Sequence, residues 1–340
     1  MRGRLPGWWA TPLIGALGGW LATLANWPLP WMVGSLLAVI GVRCSGWLVG
    51  EIPRGRQTGQ WIVASAIGLH FTSEVMQQVL AHFGVILAGA VGTLLLGLIG
   101  IAILLRAGCN RATAFFASMP GGASEMVVLA NRHQAEPARV AAAHSLRLLL
   151  VVLIVPALFT WGLPSMDAPP PAPVSWAWLA LLLPAGGLLA LLWRRLGQPN
   201  PWMLGPLTAC AVASVVFDLH IGLPGWAGAL GQWLIGCSLA CHFDRPFFRS
   251  APTFLLRILL FTLLAMLVAA ALGGALGWMT TLDKVSLMLG MMPGGITELC
   301  LTAEALQLSV ALVTAVQVLR LFLVMFLAEP VFRFWQRRWS

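Results

Sequence analysis

Two short stretches decide how this chain folds: MPGGASE at 119–125 and MPGGITE at 292–298. Each interrupts an apolar run that would otherwise read as one helix. Pro cannot continue the helix that precedes it, and two consecutive Gly release the backbone from the Cβ constraint. A hydroxyl residue and a carboxylate follow at once, where a helix would restart: Ser124 and Glu125 in the first stretch, Thr297 and Glu298 in the second. The pattern is a broken helix written twice.

Other repeated stretches flank it in the same order. PWMVGSL at 30–36 matches PWMLGPL at 201–207, and GQWIVASAIGLHF at 59–71 matches GQWLIGCSLACHF at 231–243. Arg147-Leu matches Arg320-Leu. The offsets are 171, 172, 173 and 173, a drift that single-residue changes in loops explain. The chain is therefore a tandem duplication, with one repeat over 1–165, a Pro-rich linker over 166–178 (MDAPPPAP at 166–173) and a second repeat over 179–340.

Composition names the solvent. The 340 residues are 59% hydrophobic and only 9% charged, against about a quarter charged in soluble domains. That much apolar surface has to face lipid. Apolar segments run at 9–27, 30–49, 57–71, 84–105, 112–132 and 138–161, and again at 176–194, 201–217, 228–243, 253–278, 285–305 and 309–332. Tyr is absent and Trp occurs 17 times, often near segment ends (Trp8, Trp9, Trp27, Trp161, Trp176, Trp178), as an interfacial belt would place it. Arg2 and Arg4 before the first run imitate a signal peptide. The counterpart of that run near 179–196 lies in mid-chain, so the first run is expected to be a span. The fold class expected is all-α integral membrane: two inverted repeats, each of about five transmembrane helices plus one PGG-broken or re-entrant helix.

Inversion follows from charge. If the broken segment returns to its own side and the other five cross, an N-terminus in the cytoplasm puts seventeen of the 20 basic residues on or near the cytoplasmic side. Only Lys284 falls outside, and Arg147 and Arg320 lie within spans. If the broken segment crosses, Arg132, Arg139, Arg245 and Arg249 move outside, against the positive-inside bias. Five crossings per repeat is odd, which inverts the second repeat. Broken helices meeting at the midplane of inverted repeats are a recurrent secondary-transporter architecture.

The candidate solute-binding residues are those of the breaks and the polar groups that can reach them: Pro120, Gly121, Gly122, Ser124, Glu125 and Arg147, with Pro293, Gly294, Gly295, Thr297, Glu298 and Arg320. Unpaired backbone in hydrocarbon costs several kcal/mol per group, so a break survives only where protein buries it or it lines a cavity. A helix restarting after it aims free N–H groups and a positive dipole end at the break. Glu125 and Glu298 sit where a carboxylate caps that end, takes a proton or holds a cation. Arg147 and Arg320 sit where they neutralise those glutamates or bind a solute carboxylate. His144 shares a helix face with Arg147 at i, i+3, and Gln317 repeats the spacing with Arg320; one titratable residue facing an amide suggests proton coupling. Asn131 opposite Glu304 is a further asymmetry. The glycines are expected to need positive φ. Neither catalytic residues nor a metal or other cofactor is expected: the Cys237, Cys241 and His242 group loses its thiols in the first repeat, where Ser65 and Leu69 stand. His70 and His242 read as polar anchors at span ends.

These motifs, the doubled PGG-x-Ser/Thr-Glu and the paired Pro-Trp-Met-x-Gly, resemble the AbrB family of duplicated bacterial membrane proteins, whose members are often labelled ammonia monooxygenase or regulator. The resemblance covers nearly the whole chain. It implies a multi-pass protein of the bacterial inner membrane; the family shares only a name with the soluble DNA-binding AbrB regulators. A monooxygenase needs a redox metal or flavin, which six scattered His do not suggest. A direct regulator needs a groove-reading element, and no segment is long and polar enough. The function expected is a secondary transporter of a small anionic solute, not an enzyme, with proton or sodium as coupling ion, the lipid bilayer as surroundings, no direct nucleic-acid partner and both termini cytoplasmic. A membrane regulator or sensor acting indirectly on gene expression is the alternative, and a membrane oxidase or monooxygenase a distant third.

Overall fold

The computed structural model describes residues 7–47, 49–162 and 172–337. Arg2, Arg4, Arg338 and residues 166–171 of the Pro-rich linker lie outside the described residues. The described chain is helical throughout, with no strand among those residues. After a 3₁₀ turn at Gly7–Trp9 come α1 (Ala10–Leu24), α2 (Pro30–Cys44), α3 (Gly55–Leu69), α4 (Ser73–Ala81), α5 (Phe83–Arg106), α6 (Arg111–Ser118), α7 (Ala123–Arg132) and α8 (Pro137–Gly162). Then follow α9 (Trp176–Arg195), α10 (Pro201–Phe217), α11 (Gly225–Ala240), α12 (Arg245–Ser250), α13 (Pro252–Trp278), α14 (Lys284–Gly290), α15 (Ile296–Ala305) and α16 (Val310–Arg337). The second eight repeat the first in order.

The repeat extends to how helices start. α2 and α10 both open on Pro, after Leu29 and Asn200 in the left-handed region with φ of 50° and 44°. Pro supplies a preset φ where no N–H is needed, and the left-handed residue turns the chain sharply from the preceding helix. α4 and α12, both short, were not legible as helices from sequence. Neither buries a residue, and at 9 and 6 residues both are shorter than the window over which a helical period can be read.

Five helices, α5, α8, α9, α13 and α16, are long and apolar enough to cross a membrane. The other apolar helices are shorter: α1, α2 and α3 have 15 residues each. At 1.5 Å per residue that is about 22 Å, below the roughly 30 Å hydrocarbon thickness. Trp9, Trp161 and Trp176 are exposed at helix ends, as side chains anchored at an interface would be.

The helices gather into two compact units, and each draws on both repeats. The first comprises the residues up to Gln78, Pro156–Ser250 and Ala305–Gln307; the second comprises Val79–Val155, Ala251–Glu304 and the residues from Leu308 on. The boundaries within helices fall in α4, α8 and α15.

In the first unit α1 packs on α2, α9 on α10, α10 on α3 and α11 on both α2 and α3. Small residues set the approach. A Cβ on Gly59 would press on Ile235, and one on Gly231 would press on Val63. With an offset of 172 those are two equivalent contacts, one made from each repeat. Gly18 and Gly34 bring α1 and α2 together at backbone distance, the close approach that small residues permit between membrane helices. Polar side chains between these helices are satisfied locally: Trp61 Nε1 donates to the Leu183 carbonyl at 3.1 Å, and the Ser238 hydroxyl donates to Glu51.

In the second unit α5 packs on α13, α16, and α6; α14 on α13 and α16; and α6 on α7. This unit holds both PGG breaks and both arginines.

Candidate functional site

The broken helices are fixed at their starts by a hydrogen-bond relay that occurs twice. Asn110 caps α6, its Oδ1 accepting from Thr113 N at 2.6 Å, and the Thr113 hydroxyl accepts from Glu136 N at 2.8 Å just before α8. Asp283 caps α14 in the same way, accepting from Ser286 N at 2.8 Å, and Ser286 Oγ accepts from Ser309 N at 2.9 Å just before α16. All three positions repeat at an offset of 173. The start of each broken helix is thus tied to the start of the last helix of its own repeat. Sequence reading missed these caps, although Asn or Asp followed three residues later by Thr or Ser is a readable N-terminus signal.

α6 ends at Ser118, and Met119 continues in extended backbone (φ −63°, ψ 132°). Gly122, the residue before α7, is extended as well (φ −64°, ψ 134°). The positive-φ glycines among the described residues are Gly7, Gly46, Gly108 and Gly197, so the expectation that Gly121, Gly122, Gly294 and Gly295 need the left-handed region is wrong. Space, not torsion, demands glycine here. A Cβ on Gly122 would overlap Glu125 Oε2, and one on Gly295 would overlap Glu298 Oε2. Each carboxylate curls back from the third position of the restarted helix onto its first residues, the position of a capping-box acid. A Cβ on Gly121 would come 2.7 Å from Val324 Cγ1, and one on Gly294 would come 2.7 Å from Val151 Cγ1. Val151 and Val324 are equivalent, so each break packs on the last helix of the other repeat, and does so reciprocally.

The arginines take the opposite end of each break. Arg147 Nη1 donates to the Met119 carbonyl at 3.3 Å, and its Nη2 donates to His144 Nδ1 at 2.8 Å. His144 Nε2 meets the Phe116 carbonyl at 3.0 Å. In the second repeat Arg320 donates to the Met292 carbonyl at 2.9 Å, the Gly294 carbonyl at 2.7 Å and Gln317 Oε1 at 2.5 Å. Gln317 Nε2 donates to the carbonyls of Gly290 at 2.7 Å and Met292 at 3.2 Å. A helix end leaves carbonyls unsatisfied, and inside a membrane no water is at hand to take them. The arginine of the last helix supplies the donors. Glutamate at the N–H end and arginine at the carbonyl end therefore treat each break as two helix termini.

Arg147, Arg320, His144 and Gln317 are buried, at 4%, 4%, 1% and 0% exposure. The Nε of Arg147 and the Nε of Arg320 are buried without a hydrogen-bond partner. The Ser118 hydroxyl, next to the first break, is in the same condition. Each arginine lies one helical turn before the valine that packs on the other repeat's break: Arg320 before Val324 at Gly121, and Arg147 before Val151 at Gly294.

Pro120 and Pro293 are buried within the breaks. Ser124 is exposed and Glu125 half-buried, whereas Thr297 and Glu298 are buried. Asn131 and Glu304 lie near the far ends of α7 and α15, six residues past the glutamates and about 9 Å along the axis, away from the breaks. His70 and His242 donate to carbonyls of their own helices at 2.9 and 3.2 Å, which suits simple anchoring. Phe116, Met119, Met292, Val151 and Val324 are participants that sequence reading did not single out. The first three act through backbone carbonyls, which no side-chain motif reports.

These features define a class: an all-helical, membrane-type protein built of two matching halves, with two broken helices each gripped by a buried arginine. The chain belongs to the AbrB family. The family described as "Transition state regulatory protein AbrB" matches residues 31–336. The chain is similar to a Bacillus subtilis (strain 168) protein named "Uncharacterized protein YhjN", 26% identical over 352 aligned positions that cover 94% of this chain and 91% of the relative. It is also similar to the Escherichia coli (strain K12) protein named "Putative regulator AbrB", 26% identical over 317 positions that cover 90% of each.

Proposed function

We propose that the protein is a secondary transporter of a small anionic solute, bound at Arg147 and Arg320 beside the two PGG breaks. The observation that carries this reading is the pair of buried arginines, each with an unpartnered Nε and each on a helix that packs against the other repeat's break. Two like charges in a low-dielectric interior repel strongly, and buried intramembrane charges mark solute and ion pathways more often than they serve stability. A small anion between them relieves the repulsion and accepts from both Nε donors, and carboxylate or phosphate geometry suits guanidinium.

In this reading the repeats are inverted and the protein works in the bacterial inner membrane with both termini cytoplasmic. Reciprocal contacts support a two-fold relation, because contacts between parts related by two-fold symmetry come in matched pairs: Gly121–Val324 with Gly294–Val151, and Gly59–Ile235 with Gly231–Val63. The basic-residue bias supports an axis in the membrane plane. The coupling ion is proton or sodium, Glu125 and Glu298 are its candidate carriers, and the protein neither catalyses a reaction nor touches nucleic acid. A second reading, a membrane sensor that affects gene expression indirectly through the same anion site, is favoured by the name of the Escherichia coli relative.

The test is a thermal-shift screen of purified protein against mono-, di- and tricarboxylates, phosphate and sulfate, since a ligand that binds the folded state raises apparent stability. A hit should be lost in Arg147→Lys and Arg320→Lys proteins shown to be folded, and the same anion should accumulate in liposomes under an imposed gradient. Binding without uptake favours the sensor. Binding that survives both Lys substitutions rejects the site.

A further inference from the structure

We propose that His144 is a neutral positioning residue of fixed tautomer, doing for Arg147 in the first repeat what Gln317 does for Arg320 in the second, and that it carries no proton. The residue types invite the opposite conclusion, because a buried His beside an intramembrane Arg looks like a coupling group. The hydrogen bonds argue against it. A neutral imidazole has one N–H and one acceptor nitrogen. Arg147 Nη2, which can only donate, lies 2.8 Å from Nδ1, and the Phe116 carbonyl, which can only accept, lies 3.0 Å from Nε2. Both partners demand the same form: Nδ1 bare and Nε2 protonated. A second proton on Nδ1 would point at an arginine N–H. The ring accepts it only if Arg147 lets go and moves away.

Gln317 is the internal control. Its Oε1 accepts from Arg320 Nη2 at 2.5 Å, and its Nε2 donates to the Gly290 carbonyl at 2.7 Å. An amide has a fixed acceptor and a fixed donor, which is the pattern the imidazole copies. Phe116 corresponds to Leu289, one residue before Gly290, so both side chains reach the last turn of a broken helix from the same place on the following long helix. Each side chain bridges that turn to its arginine and holds the guanidinium plane against the break. The charged group bonded to His144 is Arg147 on its own helix; beyond Phe116, His133 at the end of α7 stacks on the Phe116 ring at 5.7 Å between centroids and meets Glu329 of α16 at 3.4 Å. No carboxylate appears among the hydrogen-bond or salt-bridge partners of His144. The part played by the oriented guanidinium rests on the anion-site reading above; the tautomer does not.

The experiment separates the two. Full-length protein labelled with ¹⁵N at histidine is reconstituted in lipid, and the His144 signals are assigned by their loss in His144→Gln. The expected result is one neutral imidazole with proton on Nε2 only, unchanged between about pH 5.5 and 8, a range in which an ordinary imidazole titrates. A signal that titrates in that range, or a proton on Nδ1, overturns the proposal without touching the anion site. For the positioning role, ¹⁵N-arginine signals assigned to Arg147 by their loss in Arg147→Lys should stay in place in His144→Gln and shift or broaden in His144→Leu. Identical Arg147 signals in all three proteins would show that His144 orients nothing. If His144→Leu fails to fold, Gln317→His gives the reciprocal test: Arg320 signals should be retained, and a new neutral imidazole of the same tautomer should appear.

Discussion

At the first break Ser124 is exposed and Glu125 half-buried, while at the second Thr297 and Glu298 are only 2% and 7% exposed. Arg147 holds one break carbonyl, and Arg320 holds two. The neighbour of Arg147 is an imidazole that reaches one carbonyl; the neighbour of Arg320 is an amide that reaches two. The helices, caps and glycines around the two breaks are nearly superposable in sequence order. Duplication has therefore kept the backbone device and let its cover diverge. The second break is sealed and heavily bonded, which suits an anchor. The first is more lightly held and more open, which on the transporter reading makes it the end where a solute or proton enters.

The largest expected effect tests that ranking directly. Arg320→Leu leaves the Gly294 carbonyl and the Gln317 amide oxygen without their donor and takes one donor from the Met292 carbonyl, which keeps the Gln317 amide. Each buried group left unsatisfied costs about 1–3 kcal/mol, so the loss should be about 2 kcal/mol or more. Arg147→Leu abandons one carbonyl and His144 and should be the milder lesion. Melting temperatures of the two variants in the same detergent check this. Equal losses would mean that the extra bonds of the second break contribute nothing.

The reciprocal packing gives a second, smaller effect. Gly294→Ala forces Val151 to move, and Gly121→Ala forces Val324 to move. Overpacking of this kind costs typically about 1–3 kcal/mol. Truncating the opposing valine should restore room, so the pairs Gly294→Ala with Val151→Ala and Gly121→Ala with Val324→Ala should each be more stable than the glycine variant alone. Coupling in both pairs, of about 0.5 kcal/mol or more, is the signature of a two-fold relation between the repeats. Coupling in one pair only would mean that the two halves have drifted out of register at the breaks.

How much of this was readable beforehand follows from where the information sits. The breaks at 119–122 and 292–295, the i, i+3 pairs His144/Arg147 and Gln317/Arg320, and the tandem arrangement are local patterns, and the sequence states them twice. Three things were not legible. Helices from both repeats intermix within each compact unit, and this depends on pairings more than a hundred residues apart that no periodicity encodes. The glycine requirement comes from Glu Oε2 and from valines on a distant helix, so reasoning from φ alone named the right residues for the wrong cause. The arginines could be paired with glutamates on paper because the sequence shows charges, whereas the carbonyls of Met119, Met292 and Gly294 that they hold are present at every residue and become special only where the helix stops.

Accessibility comes next in size. In a background free of native cysteines, Ser124→Cys should react with a membrane-impermeant maleimide at least about ten times faster than Thr297→Cys, because a thiol has to reach water as thiolate to react. Equal, slow reaction of both would place Ser124 against lipid or protein and remove the idea that the first break is the open one.

The smallest expected change in stability comes from Glu125→Gln and Glu298→Gln, and it carries the most about mechanism. Both glutamates curl back onto the first residues of their helices. A Gln at that position keeps the shape and an acceptor oxygen, and capping boxes accept either residue. Loss of the negative charge at the helix start costs about 0.3–1 kcal/mol, whereas Ala, which removes the acceptor too, should cost more. Stability should therefore fall in the order wild type, Gln, Ala at both sites, with the wider spread at the buried Glu298. Transport separates the roles that stability cannot. If one glutamate carries the coupling proton, its Gln variant keeps anion binding and exchange in liposomes but loses accumulation driven by a pH gradient. The openness of the first break points to Glu125 as the residue that loses coupling, with Glu298→Gln still accumulating solute. If both Gln variants accumulate the anion fully under the gradient, the carboxylates are caps and nothing more, and the coupling ion is bound elsewhere.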